Sequence, residues 1–242
     1  MNISIIIPCY NEEQRLSQEA FKKYSQDNES IDFLFVNDGS TDNTISILKE
    51  LSSSSSNFTY LDLKQNQGKA GAIRDGVLYL QENNNYDYIG YFDADLATPL
   101  FEINNFIFEI EKRQNMVFIM GTRFARMGAK ISRKPSRHYI GRVFATLVSM
   151  LLKIPVYDTQ CGAKIIHKDI VYNLFEKPLI TKWLFDVELI ARLEKLIGYK
   201  EAKEVILEVP LQQWSEIAGS KLKPIDFLKA PLELVKIWRK YY

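Results

Sequence analysis

Cysteine is scarce in this chain: Cys9 and Cys161 are the two among 242 residues. Their spacing fits no metal-binding pattern and they build no disulfide framework, so they read as free, buried or half-buried thiols of a reducing compartment. A basic excess is missing too. Lys plus Arg is 31 and Asp plus Glu is 30, a formal net charge of +1. That balance argues against a nucleic-acid partner and makes any basic site local. No apolar run reaches the ~20 residues of a bilayer span. The nearest approach, 143–152, lies between Arg142 and Lys153. No basic leader precedes the apolar start, so no secretory signal is expected. Neither a repeat nor a Gly/Pro-rich linker divides the chain. What remains, 46% hydrophobic and 25% charged residues, excludes disorder and fibrous architectures.

Strand and helix patterns alternate through the first half. Apolar runs at 3–7, 31–36, 58–63 and 88–92 read as buried parallel strands. Helical sequence is expected at 12–23, 43–51 and 68–80. Four βα repeats predict an α/β domain with a largely parallel sheet, whose ligand crevice lies at the carboxyl ends of the strands. Polar clusters at 37–42, 66–69 and 93–95 all fall at such ends. The second half is less regular. A helix is expected at 101–112, a strand at 116–120 and a basic loop at 123–142. A short apolar helix follows at 143–152, then a polar turn at 158–162, a helix at 183–197 and a strand at 205–209. A basic, aromatic tail closes the chain, and Pro224 and Pro231 argue against one continuous helix there.

Asp93-Ala94-Asp95 follows a buried strand, where two carboxylates are costly unless a cation or hydrogen bonds compensate them. Alternate residues of extended chain face opposite ways. Both acids therefore reach one ion only if the chain turns at Ala94; otherwise one binds metal and the other a sugar or ribose. A hard divalent cation such as Mg²⁺ takes a few carboxylates plus phosphate oxygens; the plain alternative is a pair of helix-capping acids. Tyr10 is placed to pack on a base and Asp38 to accept from base or ribose, with turn chemistry as the alternative for both. Lys69 opens a helix among small residues, which suits phosphate. The order of a P-loop is absent.

Taken in order, IIIPCYNE, VNDGSTDNT, NQGKAGAIRDG, FDADLATP, GTRF, DTQCGAK, WLFDVEL and EVPLQQWSEIAGSKL resemble a family 2 glycosyltransferase of the GT-A fold. More narrowly they are similar to the polyprenyl-phosphate sugar transferases. The resemblance implies a Rossmann-like, mostly parallel mixed sheet flanked by helices over 1–222, which leaves the basic, aromatic tail at 223–242 as a separate segment. It implies that Pro8, Tyr10 and Glu12 line a nucleotide pocket, with Asp38 at the base or ribose. Lys69 and Arg74 would lie on the segment that faces the nucleotide or diphosphate. Asp93 and Asp95 would hold Mg²⁺ or Mn²⁺, Asp95 directly. Arg123 and Arg137 would meet the acceptor phosphate, Asp158 and Gln160 would approach the donor sugar, and Lys221 would close near the diphosphate. Where mannose synthases commonly carry a Gln, this chain has Ala97, which favours UDP-glucose over GDP-mannose as donor. Many relatives carry terminal transmembrane helices, and none is expected here.

The implied reaction is an inverting in-line displacement in which a polyprenyl phosphate attacks the anomeric carbon. Such an acceptor is already anionic, so it needs placement by arginines more than a strong base. The apolar stretch 143–152 and the aromatic, basic tail suit an anionic leaflet, so peripheral binding at the cytoplasmic face of a membrane is expected; a core helix and a packed tail are the alternative. A homo-oligomer is compatible with the sequence. Two rival readings keep the fold: a transferase with a saccharide acceptor, using Asp186 or Glu188 as base, and a non-catalytic nucleotide-sugar sensor. A nucleotidyltransferase lacks its Gly-rich N-terminal loop here.

Overall fold

The computed structural model describes all residues except 84–85, 114, 134 and 218–223, and not the side chains of 83, 135–138 and 224–228. The first half runs β1 (Ile3–Cys9), α1 (Gln18–Asp27), β2 (Ile31–Asp38), α2 (Thr44–Ser53), β3 (Phe58–Leu63), α3 (Gly68–Asn83) and β4 (Tyr88–Phe92). The second runs α4 (Glu102–Lys112), β5 (Phe118–Thr122), β6 (Lys130–Ser132), α5 (Pro135–Leu152), β7 (Ala163–His167), α6 (Lys168–Phe175), α7 (Phe185–Ile197), α8 (Tyr199–Val205), β8 (Ile206–Pro210), β9 (Gln213–Ser215) and α9 (Pro224–Tyr241).

Seven strands form one sheet in the order β3-β2-β1-β4-β7-β5-β8. The first four pair in parallel, as the βα alternation predicts, and β5 pairs in parallel with β8. Between them β7 runs antiparallel to both β4 and β5. The sheet is therefore mixed, and β7 is the seam between a regular nucleotide-type half and an irregular half. Both faces are covered, because alternate residues of one strand feed two cores. Ile6 packs with α3, α6 and α7, while Ile3, Ile5 and Ile7 pack with α1, α2 and α4. A small parallel pair, β6 with β9, stands apart from the main sheet.

Tertiary contacts overrule several local expectations. Helix α1 begins at Gln18 and not at residue 12, because Glu12 is spent on a turn: its carbonyl accepts from the Arg15 and Leu16 N–H groups, and its N–H donates to Thr44 Oγ1 at 2.8 Å. The expected basic loop at 123–142 contains β6 and the first two turns of α5, so the apolar helix is longer than its apolar run. Strand β7, strand β9, and helices α6 and α8 fall where no element was expected. The tail corrects the proline argument, since α9 passes through Pro231. Pro224 is its first residue, where a missing N–H costs nothing. Packing holds the rest, with Ala230 and Ile237 buried and the Glu233 carboxylate accepting from the Trp183 and Leu184 N–H groups at 3.2 and 2.9 Å.

Candidate active site

The carboxyl ends of β1, β2 and β4, the 158–162 loop, the middle of α5 and the start of α7 enclose a cavity of about 780 Å³. Pro8, Tyr10, Glu12, Asp38, Lys69, Asp93 and Asp95 line it from the regular half. Arg123, Asp158 and Gln160 line it from the irregular half. The sequence clusters that shared one sheet edge thus share one space.

The Asp93 corner resolves the alternation problem. Leu96 adopts φ 54°, and its N–H donates to the Asp93 carbonyl at 3.3 Å, so the chain turns over Ala94 and both acids face the cavity. A bulky residue in the left-handed region is uncommon and tends to cluster at functional sites. Asp93 pairs with the Lys69 ammonium, and its N–H donates to the Gly162 carbonyl at 3.1 Å. Asp95 Oδ1 accepts from the Ala97 N–H at 3.1 Å. Burial, then the neighbouring Asp93 charge, hold the Asp95 carboxyl above its ordinary range. Burial alone would lower Lys69, but Asp93, Asp186 and Asp95 together outweigh it and raise its ammonium.

Asp38 is buried, with Oδ1 accepting from the Gln67 N–H at 2.7 Å and Oδ2 from the Gly68 N–H at 2.9 Å. It thereby fixes the start of α3, and with it Lys69, to the end of β2. Gly39, at φ 63°, allows this approach: a Cβ there would lie 2.6 Å from Asn66 N. Glu12 forks onto Arg15, at 2.8 Å to Nε and 2.6 Å to NH2. Arg74 is the exception among the expected residues of the regular half. Five helical residues after Lys69 place it about 140° around the axis. It faces away from the cavity, donating to the Glu176 carbonyl at 2.7 Å and pairing with Asp75 at 3.3 Å.

In the same cavity, Arg123 and Asp158 are joined twice, Nε to Oδ2 at 2.6 Å and NH2 to Oδ1 at 2.7 Å. Burial would push both toward neutrality, yet each outweighs it for the other, so Arg123 stays above and Asp158 below its ordinary range. Gln160 Nε2 is buried with no hydrogen-bond partner in the described protein, a donor that a ligand oxygen would satisfy. Arg137 lies on α5, but its side chain, like the whole of Lys221, lies outside the described residues.

Residues 4–175 match the family described as Glycosyl transferase family 2. The chain belongs to this family. It is 30% identical to a dolichyl-phosphate beta-glucosyltransferase of Trichomonas vaginalis, over 97% of this chain and 72% of that one. It is also 30% identical to the dolichyl-phosphate beta-glucosyltransferase of Dictyostelium discoideum, over 99% and 74%. Among solved structures it is similar to glucosyl-3-phosphoglycerate synthase from Mycobacterium tuberculosis in complex with Mn²⁺, UDP and glucosyl-3-phosphoglycerate. There the TM-score is 0.71, at 16% identity, covering 99% of this chain and 79% of that one. At that identity the likeness speaks for the fold, which is GT-A. The protein is thus a glycosyltransferase of family 2.

Several cavity residues of this transferase escaped the sequence reading. Arg15, Arg133 and Arg142 line it, and Arg142 stacks 3.7 Å from the Tyr157 ring centroid. Trp214 faces Arg123 at 5.2 Å, and its place in EVPLQQWSEIAGSKL, one of the strings that carry the family resemblance, was the available signal. Glu208, on β8, accepts from the Tyr157 and Asp158 N–H groups at 2.8–2.9 Å and so fixes the entry to the 158–162 loop. Nothing in a strand reading ILEVP marks its Glu as a loop clamp.

Proposed function

We propose that this glycosyltransferase moves glucose from UDP-glucose to a polyprenyl phosphate, with inversion, at the surface of a membrane. The observation that carries the reading is one cavity lined both by an acidic corner, Asp93 and Asp95, and by three arginines, Arg123, Arg133 and Arg142. The first suits a cation-bound diphosphate and the second an anionic acceptor. The glucosyltransferase names of the relatives support the sugar and the lipid class.

The residues fit a divalent ion of the Mg²⁺ or Mn²⁺ kind. Among the described residues no three metal-ligating side chains converge, so the protein offers two carboxylates and the donor diphosphate supplies the rest. Asp95, held above its ordinary range by burial and by Asp93, gains most from a nearby cation. Asp95 and Asp93 would hold the ion, which supplies neutralisation of the diphosphate charge as the sugar leaves. Lys69, fixed at the start of α3, adds a second positive charge on the same side. Arg123, oriented by Asp158, holds the acceptor phosphate against the repulsion of the donor. Gln160 offers its unpartnered N–H to the sugar.

The rival saccharide acceptor needs a carboxylate free to take a proton. Glu188 cannot serve: it is fully buried and accepts from the Ile180 and Thr181 N–H groups, Thr181 Oγ1, Arg192 and Tyr241. Asp186 lines the cavity but accepts from Tyr91 Oη at 2.5 Å and pairs with Lys164 at 2.7 Å. This favours an acceptor that arrives as an anion.

The membrane reading rests on two exposed apolar faces. Val143, Leu147 and Met150 on α5 and Leu232, Val235 and Trp238 on α9 all point to solvent. Lys229, Lys236, Arg239 and Lys240 accompany them, which suits a helix pair lying on an anionic leaflet. No described helix is long and apolar enough to cross a bilayer. Two buried cysteines, neither in a disulfide, suit the cytoplasmic face. Labelled UDP-glucose offered to polyprenyl phosphate and to free oligosaccharide tests the acceptor: label in the lipid phase alone is expected, and label in the oligosaccharide alone rejects the reading. Leu147→Asp with Val235→Asp should abolish co-sedimentation with anionic vesicles without shifting the melting temperature.

A further inference from the structure

Lys164 has no solvent exposure at all and takes no part in the chemistry derived above. It is the charged residue of β7, whose neighbours Ala163, Ile165 and Ile166 are all buried. An ammonium there is tolerated only if each of its three N–H donors finds an acceptor. Each does. Nζ lies 3.0 Å from the Thr159 carbonyl, 2.7 Å from the Cys161 carbonyl and 2.7 Å from Asp186 Oδ1. Two of the three acceptors are backbone atoms of the 158–162 loop.

That loop is therefore held at both ends by charges of opposite sign. The Glu208 carboxylate takes the N–H groups of Tyr157 and Asp158, and the Lys164 ammonium takes the carbonyls of Thr159 and Cys161. The stretch so clamped touches both the acidic corner and Arg123. Asp158 orients Arg123, Gln160 aims its unpartnered amide inward, and Gly162 accepts from the Asp93 N–H. Asp186, the third acceptor, is in turn kept from acting as a base.

We propose that Lys164 is a positioning residue of the transfer reaction. It fixes the 158–162 loop so that the acceptor-side arginine and the donor-side Gln160 and Asp93 hold one mutual geometry. A misplacement of about 1 Å between reacting groups costs on the order of 100-fold in rate, which is the effect such a clamp prevents. The turnover half of the test rests on the substrates proposed above; the exchange half does not.

The experiment compares the full chain with Lys164→Met and with Lys164→Met/Asp186→Asn. The single variant strands a buried Asp186 charge and is expected to lower the melting temperature. The double variant removes that charge and should recover most of the loss, so it carries the test should the single variant fail to fold. In the recovered double variant, amide exchange of the peptide covering 157–163 should be at least about tenfold faster. Its kcat should fall at least roughly twentyfold with the donor KM moved by less than about threefold, the mark of lost transition-state geometry and not lost binding. Lys164→Gln, which keeps a donor for one carbonyl, should lie between. A double variant with wild-type exchange and wild-type kcat overturns the proposal and leaves Lys164 as a counter-ion for Asp186. If the unaltered enzyme turns over no UDP-glucose with polyprenyl phosphate, the substrate reading falls, and loop exchange alone then decides the role of Lys164.

Discussion

Arg123 meets Asp158 at three points: the two forked contacts of its guanidinium and a 3.1 Å bond from its backbone N–H to Asp158 Oδ2. Residues 35 apart in sequence thus act as one rigid unit, and side-chain exposures of 14% and 8% leave little water to replace either partner. Breaking such a pair strands a buried charge and costs about 3–5 kcal/mol, whereas replacing both by apolar residues is often close to neutral. Asp158→Ala is therefore expected to lower denaturant stability within that range and to abolish transfer. Arg123→Met/Asp158→Leu should regain stability without activity. A double variant as unstable as the single one would show that the pair does more than cancel its own burial.

Asp95 should behave in the opposite way. Its carboxyl is destabilised by burial and by Asp93, so Asp95→Asn is expected to leave the melting temperature unchanged or slightly higher. The same variant should lose Mn²⁺-dependent binding of UDP by calorimetry, together with turnover. Retained metal-dependent binding would remove Asp95 from the metal assignment.

Gly162 is required by proximity, not by backbone conformation. A Cβ at this position would lie 1.8 Å from Asp93 Oδ2, so Gly162→Ala must push the Asp93 carboxylate out of place. A fall in kcat of at least about 100-fold is expected, in keeping with a misplaced ligand at the reacting centre. Near-normal rates in a folded Gly162→Ala enzyme would mean that Asp93 moves without consequence.

The tail carries a pH dependence of its own. Burial raises the Glu194 carboxyl from the ordinary 4.5 to about 7, and Tyr242 donates to it. Between these two values the folded chain holds a proton that the unfolded chain has released, so stability falls as pH rises across the interval. Melting temperatures taken from pH 4.5 to pH 7 should decline more in the native chain than in Glu194→Gln. Equal slopes would place the titration elsewhere.

Much of the regular half was legible from the chain. Apolar runs at β1, β2, β3 and β4 are short, uncharged and spaced by helical sequence, and parallel pairing follows from that alternation. The polar clusters at their ends belong to one edge by topology, so Tyr10, Asp38, Lys69, Asp93 and Asp95 could be gathered before any coordinates. Arg74 could not be excluded that way without phasing α3 from Lys69.

Local pattern alone determined the α/β class, the crevice and the acidic corner, because those depend on neighbours a few residues apart. The tertiary structure decided the rest. Strand β7 runs antiparallel because the 158–162 loop folds back onto the Asp93 corner. Helix α9 survives Pro231 because Ala230 and Ile237 find a core in α5 and α7. Lys164, Glu208 and Glu188 become clamps because buried charges must find backbone partners from distant segments. Such partners are set by which surfaces meet, and no window of sequence contains both sides of the contact.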